Sequence, residues 1–342
     1  MDRIILAVDG MGGDNAPACV IEGVNEFLKL HEECEVRLFG KTDVITEAAK
    51  AFGGLHERVT LIDAPEAIGM EEEPMMAVRK KPNSSLIMGL KDANEGTSHG
   101  FVSAGSTGAL MLGGMTVTRL IKGIRRPALA PVMPGLNGPF LLIDSGANAD
   151  CQSEFLEQFG LMGSVYMNRV MGVENPKVGL VNIGVEEEKG SKLYKEAHAL
   201  MKNQHAYNFV GNLEARDVQY GNVDVAVADG FTGNVIIKYA EGFAKCMLKL
   251  IKNEIMSTTM GKVGGLLLKP SFAAIKKKMS SDEYGGAPLM GVDGVVVKAH
   301  GSSSGYAFMK AMEQALSMIK GGMVDAIKAG LSEITNNLTE EK

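Results

Sequence analysis

The sequence repeats one pattern six times, in which a short apolar segment ends in a turn of small polar residues and a helical segment follows. The six turns span residues 9–17, 105–108, 144–148, 182–191, 229–234 and 300–305. Strands that alternate with helices predict an α/β protein with a mostly parallel sheet. Right-handed crossovers would bring all six turns to one edge of that sheet. Backbone N–H groups and helix N-termini gathered there favour an anion, so we expect a phosphate site.

The same turns lack the two common nucleotide-binding fingerprints. None has the Gly-Lys-Ser or Gly-Lys-Thr ending of a P-loop, and none has the Gly-x-Gly-x-x-Gly spacing of dinucleotide sites. Nicotinamide chemistry is therefore disfavoured, and we expect no cofactor. The turns also lack clustered His and carboxylate ligands, and the four cysteines are scattered without a Cys-x-x-Cys pair. We accordingly expect no metal, and reduced thiols as in the cytosol.

Composition narrows the class of protein and its location. The chain has 342 residues, a formal net charge of −6 and a pI near 5.6, so we expect no nucleic-acid partner. The N-terminal segment lacks the length of a signal peptide, and no apolar run approaches the roughly 20 residues that span a bilayer. We therefore expect a cytoplasmic protein whose membrane contact is peripheral, at the inner face of the cell membrane. The charged and polar residues 335–342 are expected to form a tail after the main domain.

Residues 256–279 differ from the rest of the chain because apolar side chains there are ringed by lysines. Such a segment suits an interfacial hairpin that contacts a membrane or an acidic partner. A helical hairpin buried in a dimer interface is the alternative, and one dimer can satisfy both. The residues expected to make this contact are Val263, Leu266, Leu267, Leu268, Lys269, Lys276, Lys277 and Lys278.

Taken together and in order, the six turns resemble the signature motifs of the bacterial phosphate acyltransferases. The motifs are Asp-Gly-Met-Gly-Gly-Asp from residue 9, Ala-Gly-Ser-Thr-Gly-Ala from 104, Ile-Asp-Ser-Gly-Ala-Asn from 143, Asn-Ile-Gly-Val-Glu-Glu-Glu-Lys-Gly from 182, Asp-Gly-Phe-Thr-Gly-Asn from 229, and Gly-Gly-Ala-Pro-Leu-Met-Gly-Val from 285 with His-Gly-Ser-Ser from 300. The resemblance runs from residue 3 to about 334. Gly10, Asn15 and Ser145 depart from the residues common in this family, so we expect no specific role for the side chain at position 15.

The resemblance implies an αβα sandwich related to isocitrate and isopropylmalate dehydrogenases and to phosphotransacetylases, with a protruding helical hairpin. It implies an enzyme that transfers a long-chain acyl group from acyl-acyl carrier protein to inorganic phosphate. The acyl-phosphate would serve the acylation of glycerol 3-phosphate in phospholipid synthesis, which makes a glycerol-3-phosphate acyltransferase an expected downstream partner. A homodimer and peripheral membrane contact are also implied, as is a single catalytic domain over residues 1–334 with two discontinuous lobes around a cleft.

By motif match, the resemblance implies that Lys189 and Asn234 are catalytic. The Lys189 ammonium, oriented by the acids at 186–188, would clamp phosphate or stabilise the oxyanion, and Asn234 would donate to the oxyanion. His300 would either protonate the leaving thiolate or have a binding or structural role. The residues expected to bind phosphate or the thioester are Asp9, Gly12, Gly13, Ser106, Thr107, Gly108, Asn148, Asn182, Asp229, His300 and Ser302.

Three other functions remain open from the sequence. A phosphotransacetylase acting on short-chain acyl-CoA would use the same chemistry but would not need the hairpin at 256–279. A membrane-associated scaffold would recruit lipid enzymes through that hairpin but would be free to lose Lys189 and Asn234. An NAD-dependent decarboxylating dehydrogenase of the related fold would bind nicotinamide, which a fluorescence titration detects.

Overall fold

A computed structural model describes residues 3–340 of the chain. Strands and helices alternate through most of the chain, as the sequence predicts. The strands are β1 (Ile4–Asp9), β2 (Cys34–Gly40), β3 (Val59–Asp63), β4 (Gly100–Ser103), β5 (Ala128–Leu129), β6 (Val132–Met133), β7 (Phe140–Ile143), β8 (Lys177–Asn182), β9 (Asn208–Glu214), β10 (Val225–Val227), β11 (Ala287–Met290) and β12 (Val295–Lys298). The helices are α1 (Ala18–Leu30), α2 (Thr42–Ala49), α3 (Pro74–Lys80), α4 (Ser85–Asn94), α5 (Thr107–Gly113), α6 (Ser153–Arg169), α7 (Lys192–Asn203), α8 (Gly230–Met256), α9 (Thr259–Lys278), α10 (Gly305–Lys320) and α11 (Met323–Glu340).

The strands form two sheets. The first has the order β3-β2-β1-β4-β12-β11-β5, in which the first five strands are parallel and β11 runs antiparallel to both of its neighbours. The second has the order β6-β7-β10-β8-β9, in which β6 runs antiparallel to β7 and the other pairs are parallel. The predicted α/β class with mostly parallel strands is therefore confirmed.

The division into two sheets corrects the expectation that all six turns share one edge. The turns after β1, β4 and β12 belong to the first sheet, and those after β7, β8 and β10 belong to the second. The chain joins the two sheets between residues 128 and 133, where Ala130 N donates to Pro288 O at 3.1 Å and Leu142 N donates to Pro131 O at 3.1 Å. Local patterns did not reveal this division, because the pairing of strands depends on packing between segments far apart in sequence.

Helices cover the faces of the strands, which accounts for the apolar composition of the strands. Val8 of β1 is fully buried and belongs to the same core as Phe27 of α1. Gln314 on α10 donates to the hydroxyl of Tyr166 on α6 at 2.8 Å. Because α10 packs on the first sheet and α6 on the second, this contact ties the two sheets together through their helices.

Two predicted segments end differently in the structure. The helix predicted over residues 109–120 consists of α5 and a π-helical turn at Gly114–Thr118. The polar tail predicted from residue 335 is helical through Glu340 as the end of α11, and residues 341–342 lie outside the described chain. The division of residues 1–334 into two lobes stays a prediction.

Helices α8 and α9 form a hairpin that is longer than the predicted segment 256–279, because α8 supplies its first arm. Gly230 and Gly233 are the only buried residues of α8, and α9 has none, so the hairpin protrudes. Leu266 and Leu267 are 71% and 77% exposed. A groove of about 490 Å³ lies between the two arms, and four lysines are among its lining residues: Lys252, Lys262, Lys269 and Lys276. None of the helices within residues 3–340 has both the length and the apolar character required to cross a bilayer.

Candidate active site

Asp9, at the end of β1, holds two turns of the first sheet together. It is 2% exposed and accepts hydrogen bonds from the backbone N of Met11 at 3.1 Å and from Ser103 Oγ at 2.7 Å. Ser103 Oγ in turn accepts a hydrogen bond from the backbone N of Gly105 at 3.0 Å. A Cβ at Gly12 would lie 2.4 Å from Asp9 Oδ2, so glycine is required for this close approach. Asp9 therefore organises the turns as an acceptor and brings a negative charge to them.

The turn after β12 is held by the segment that follows β1. The backbone N of Asp14 donates to Gly301 O at 2.8 Å, and Asn15 Nδ2 donates to Ser302 O at 3.2 Å. Gly13 precedes them in the left-handed region, with φ 101°. The structure thus gives the Asn15 side chain a positioning role, whereas the sequence analysis expected none.

His300 and Ser302 hydrogen bond to each other at the exposed tip of that turn. His300 Nδ1 lies 2.9 Å from Ser302 Oγ and accepts a hydrogen bond from the backbone N of Ser302 at 3.2 Å. Because Nδ1 accepts, the neutral imidazole carries its proton on Nε2. The ring therefore offers Nε2–H as a donor to a ligand.

Residues 106–108 begin helix α5 directly after the Asp9 turns. Ser106 is 7% exposed and its hydroxyl makes no hydrogen bond to the described part of the chain, while Thr107 is exposed. A Cβ at Gly108 would lie 2.5 Å from Pro74 Cγ, so Gly108 is required where α5 packs on α3. Ser106 and Thr107 are therefore available to a ligand, and the glycine has a packing role.

Asp144, at the end of β7, is the corresponding acceptor in the second sheet. It is fully buried and receives five hydrogen bonds of 2.6–3.1 Å, from the backbone N of Leu129, Ser145, Ala147 and Asn148 and from Asn148 Nδ2. Burial raises the pKa of the Asp144 carboxyl, and hydrogen bonds from Leu129, Ala147 and Asn148 oppose that rise. Five N–H donors suit an ionised carboxylate, which only accepts hydrogen bonds.

Asn148 and Asn182 hold their own turns. Asn148 Nδ2 donates to Pro127 O at 2.7 Å as well as to Asp144, so the fold uses both amide hydrogens. Asn182 donates from Nδ2 to Lys189 O at 3.2 Å and accepts at Oδ1 from the backbone N of Ile183 at 2.8 Å. Both asparagines therefore shape the site, and direct contact of either with phosphate or thioester stays a prediction.

Asp229 caps helix α8 and connects it to α7. Its Oδ1 accepts a hydrogen bond from the backbone N of Thr232 at 2.8 Å, and its Oδ2 accepts one from the Tyr194 hydroxyl at 2.5 Å. Burial and the hydrogen bond to Asp229 raise the pKa of Tyr194, which keeps the phenol protonated as a donor. Asp229 and Tyr194 thereby fix the first turn of α8, which carries Asn234.

Lys189 and Asn234 extend from neighbouring strands of the second sheet, because the Lys189 loop follows β8 and α8 follows β10. Lys189 is exposed, and its ammonium forms no ion pair within residues 3–340. The Asn234 amide carbon lies 3.7 Å from the position of a Cβ on Gly146, and its amide makes no hydrogen bond to the described residues. Both groups are therefore available to a ligand.

The acidic residues 186–188 do not orient Lys189 through ion pairs, contrary to expectation. Glu187 binds Lys202 of α7 at 2.6 Å. Glu186 contributes its carbonyl oxygen, which accepts hydrogen bonds from the backbone N of Lys189 at 3.1 Å and from Asn212 Nδ2 at 2.8 Å. The loop is positioned by these contacts, which leave the lysine side chain unpaired.

The predicted site residues, with Asp144 added, fall into two clusters, one for each sheet. Hydrogen bonds join His300 to Ser302 in one cluster, and Asn148 to Asp144 and Asn182 to Lys189 in the other. Within residues 3–340, no hydrogen bond connects one cluster to the other. No three His, Cys, Asp or Glu side chains of that part of the chain are placed to hold a metal ion. The Asp9 cluster comprises Asp9, Gly12, Gly13, Ser106, Thr107, Gly108, His300 and Ser302. The Asp144 cluster comprises Asp144, Asn148, Asn182, Lys189, Asp229 and Asn234.

The sequence analysis did not select Asp144, Tyr194 or Lys298 as site residues. Lys298 is a buried cation at the end of the apolar strand β12, two positions before His300. A charged residue in an otherwise apolar strand is the sequence signal that could have identified it. Asp144 stands within a quoted motif, but no local pattern separates its carboxylate from the rest of the turn. Tyr194 reaches Asp229 from 35 residues away in the chain, which no sequence pattern indicates.

Gly233→Ala is expected to lower the free energy of unfolding by about 1–3 kcal/mol through overpacking. A Cβ at this position would stand 1.9 Å from the backbone O of Asp144, which cannot move aside. Urea unfolding at an unchanged m-value measures the loss. Gly242→Ala on the same helix is the matched control, because nothing lies within 4 Å of its Cβ, and it should be neutral or stabilising by up to about 1 kcal/mol. Equal effects of the two changes would contradict the close packing of α8 on the Asp144 turn.

The fold is that of the phosphotransacetylases. The EutD phosphotransacetylase from Staphylococcus aureus superposes with a TM-score of 0.60 at 15% identity, covering 95% of this chain and 94% of that one. A phosphotransacetylase from Streptococcus pyogenes gives the same TM-score and identity over 93% of each chain. At this identity the likeness defines the class of fold, and it confirms the predicted relation of the fold to phosphotransacetylases.

The sequence comparisons define the family. A family model described as fatty acid synthesis protein matches residues 4–325. A phosphate acyltransferase from Clostridium tetani is 48% identical over 96% of this chain and 98% of its own length, and one from Clostridium acetobutylicum is 46% identical over 97% and 100%. The chain therefore belongs to this family, whose matched relatives are phosphate acyltransferases, and it is an acyltransferase. The resemblance drawn from the six turns is confirmed.

Proposed function

We propose that this chain transfers a long-chain acyl group from acyl-acyl carrier protein to inorganic phosphate. The acyl-phosphate product would supply the acylation of glycerol 3-phosphate in phospholipid synthesis. Family membership supports acyl transfer to phosphate. The observation that carries the chemistry is a pair of groups that no residue within 3–340 engages, the Lys189 ammonium on the loop after β8 and the Asn234 amide in the first turn of α8 after the adjacent strand β10.

In this reaction a phosphate oxygen attacks the carbonyl carbon of the thioester. The C–S bond breaks, and the carrier thiolate leaves and takes a proton from solvent or from a donor of the site. An anionic nucleophile must approach a carbonyl that becomes an oxyanion, so the main requirement is a set of donors and a cation fixed beforehand. Lys189 and Asn234 supply the cation and the neutral donor. Phosphate is itself the nucleophile, so the enzyme forms no covalent intermediate.

The Asp9 cluster is assigned to phosphate and to the leaving thiol. The hydroxyls of Ser106 and Thr107 are available as donors beside the buried turns of Asp9. His300 offers Nε2–H, because its Nδ1 accepts from Ser302. This donor suits either phosphate or the leaving thiolate. Because thiolates leave readily without protonation, we assign His300 to the binding of phosphate.

The protruding hairpin supports a long-chain donor over a short-chain one. Leu266 and Leu267 are more than two-thirds exposed, and lysines line the groove between the arms. Apolar surface beside cations suits an acyl chain with an anionic end group, or the acidic carrier that presents it. A phosphotransacetylase acting on a short acyl-CoA has no need of such a surface.

Phosphate-dependent release of thiol from palmitoyl-acyl carrier protein tests the proposal, with the acyl-phosphate trapped by hydroxylamine. Acetyl-CoA at equal concentration is the matched donor. Faster release from the palmitoyl carrier supports the proposed donor, and the opposite preference would identify a short-chain phosphotransacetylase. Release that does not depend on phosphate would overturn the proposal in favour of a thioesterase. The absence of any release would favour a scaffold.

We further propose that the hairpin contacts a second copy of the chain and a membrane surface. Its exposed apolar side chains are unpartnered within the described chain, and the lysines around them favour anionic lipid. A dimer would bury part of this apolar surface and leave the turn between α8 and α9 exposed. A downstream glycerol-3-phosphate acyltransferase would then receive acyl-phosphate at the same surface.

The double change Leu266→Ser and Leu267→Ser is expected to weaken partition onto vesicles containing anionic lipid by at least about ten-fold. Burial of one leucine contributes about 1.5–3 kcal/mol, and both side chains are exposed in the single chain. Vesicle cosedimentation measures the partition, and sedimentation velocity measures the dimer. Leu136→Ser is the control, because Leu136 is 76% exposed but lies outside the hairpin. Equal partition of the two variants would contradict membrane contact through the hairpin.

A further inference from the structure

Lys298 is a buried lysine that the proposed mechanism does not use. It lies at the end of β12, between β4 and β11, and is 6% exposed. Its Nζ donates to the backbone oxygen of Ala104 at 3.2 Å and to that of Ala299 at 2.5 Å. These two carbonyls stand where β4 and β12 end, so one ammonium joins the turns that carry Ser106 and His300.

Burying an ammonium costs free energy unless the charge is paired. A lysine at this buried position is therefore not explained by packing alone. The carboxylates of Asp9, at the end of β1, and Asp14, in the turn that follows, act on Lys298 through their charge and raise its pKa against the effect of burial. The imidazole of His300 lies two residues further along its own turn. Asp9 is itself 2% exposed, so a buried lysine adjoins the buried carboxylate of the Asp9 cluster.

The negative charge of Asp9 would weaken phosphate binding unless a nearby cation offset it. Phosphate is an anion, and an uncompensated carboxylate beside its turns would repel it. Asp9 cannot be dispensed with, because Ser103 Oγ and the backbone N of Met11 donate to it. The Lys298 ammonium, buried and bonded to the carbonyls of Ala104 and Ala299, can offset that charge.

We propose that Lys298 is a positioning residue for phosphate, which fastens the turns after β4 and β12 and offsets the negative charge of Asp9. This rests on the proposed function, because phosphate is taken as the substrate of the Asp9 cluster. Lys189 of the Asp144 cluster acts on the acyl carbonyl or on the bound phosphate, whereas Lys298 acts through the turns. The two lysines therefore have separable effects on turnover and on phosphate affinity.

Lys298→Met is expected to raise the KM for phosphate at least about ten-fold, with a smaller change in the KM for the acyl donor. The double variant with Asp9→Asn is expected to recover part of that loss, since it removes the charge that Lys298 offsets. Lys320→Met is the control, because Lys320 is an exposed lysine on α10 that pairs with Glu33. An unchanged phosphate KM in a folded Lys298→Met variant would overturn the inference, and so would an equal rise in the double variant.

The pH dependence of phosphate affinity gives a second test that does not depend on the folding of Lys298→Met. Burial lowers the pKa of Lys298 to about 8, against the opposing charges of Asp9 and Asp14. The ammonium is therefore present below pH 8 and is lost as the pH rises above it. We expect the phosphate KM of the native chain to rise above pH 8, and that of Lys298→Arg to stay level, because arginine remains protonated. Asp9, Asp14 and His300 are common to both proteins, so the difference reports on position 298.

The increase of Tm with added inorganic phosphate, measured at pH 7 and pH 9 without an acyl donor, separates this inference from the proposed function. If the phosphate-induced increase of the native chain is smaller at pH 9 than at pH 7 but the chain transfers no acyl group, the proposed function fails and the inference on Lys298 stands. If it transfers acyl groups to phosphate with the same phosphate KM at both pH values, the inference fails and the proposed function stands. Identical pH profiles for the native chain and Lys298→Arg would also overturn the inference.

Discussion

Replacing Lys189 with alanine is expected to lower turnover with palmitoyl-acyl carrier protein about 100- to 1,000-fold, the usual cost of removing one group that stabilises a developing oxyanion. The side chain is exposed and its ammonium pairs with no residue in the described chain. The loop that carries it is held by Asn182, Asn212 and the Glu187–Lys202 ion pair. Its loss should therefore leave the fold intact and remove a charge that only the substrate uses.

Steady-state kinetics with hydroxylamine trapping of acyl-phosphate measure this effect, and circular dichroism with a urea unfolding curve verifies the fold. Lys192→Ala is the matched control, because Lys192 is another exposed lysine, three residues along, and its Nζ lies 3.7 Å from Glu196 Oε1. The control should retain native turnover. Lys189→Arg preserves the charge and should be less impaired than Lys189→Ala. Native turnover in Lys189→Ala would contradict the assignment of Lys189 to the chemistry.

Asp144→Ala is expected to lower the free energy of unfolding by about 3–5 kcal/mol, since several buried N–H groups lose their acceptor at about 1–3 kcal/mol each. The carboxylate is fully buried and accepts five hydrogen bonds. One of these comes from Leu129, in the segment that joins the two sheets. The loss should therefore loosen the join between the sheets together with the turn on which α8 packs.

Urea unfolding gives the change as a lower midpoint at an unchanged m-value. Asp150→Ala is the control, because Asp150 lies exposed six residues away and the change should stay within about 0.5 kcal/mol of the native chain. A stability equal to that of the control would show that the hydrogen bonds of Asp144 are replaced by water at little cost. Such a result would contradict a role for Asp144 in holding the two sheets together.

The local organisation of the chain was predictable because strands, turns and helices are encoded by neighbouring residues. The apolar run ahead of Asp9 forms β1, and the glycines after it form the turn that precedes α1. The lysine-ringed segment 256–279 forms part of a protruding helical hairpin. The six turns in order also sufficed to identify the family, because their combined spacing is far more specific than any one of them.

The roles of individual site residues were less predictable. A motif shows that an asparagine or glycine stands in a turn, but it does not show what the side chain contacts. Asn148 donates both amide hydrogens within the fold. Gly108 has to be a glycine because Pro74 of α3 occupies the space of a Cβ. Asn15, for which no role was expected, holds the turn after β12 from 287 residues away.

The α/β alternation, the polar turns at the strand ends and the family could all be predicted from the amino-acid sequence. These depend on local periodicity and on the types of residue next to each strand, which the chain carries wherever it packs. The division of the turns between two sheets, the lack of partners for Lys189 and Asn234 within residues 3–340, and the burial of Lys298 against the carbonyls of Ala104 and Ala299 emerged from the folded chain. Strand pairing, burial and the pairing of charges depend on segments far apart in the sequence, so they are settled by the packing of the whole chain.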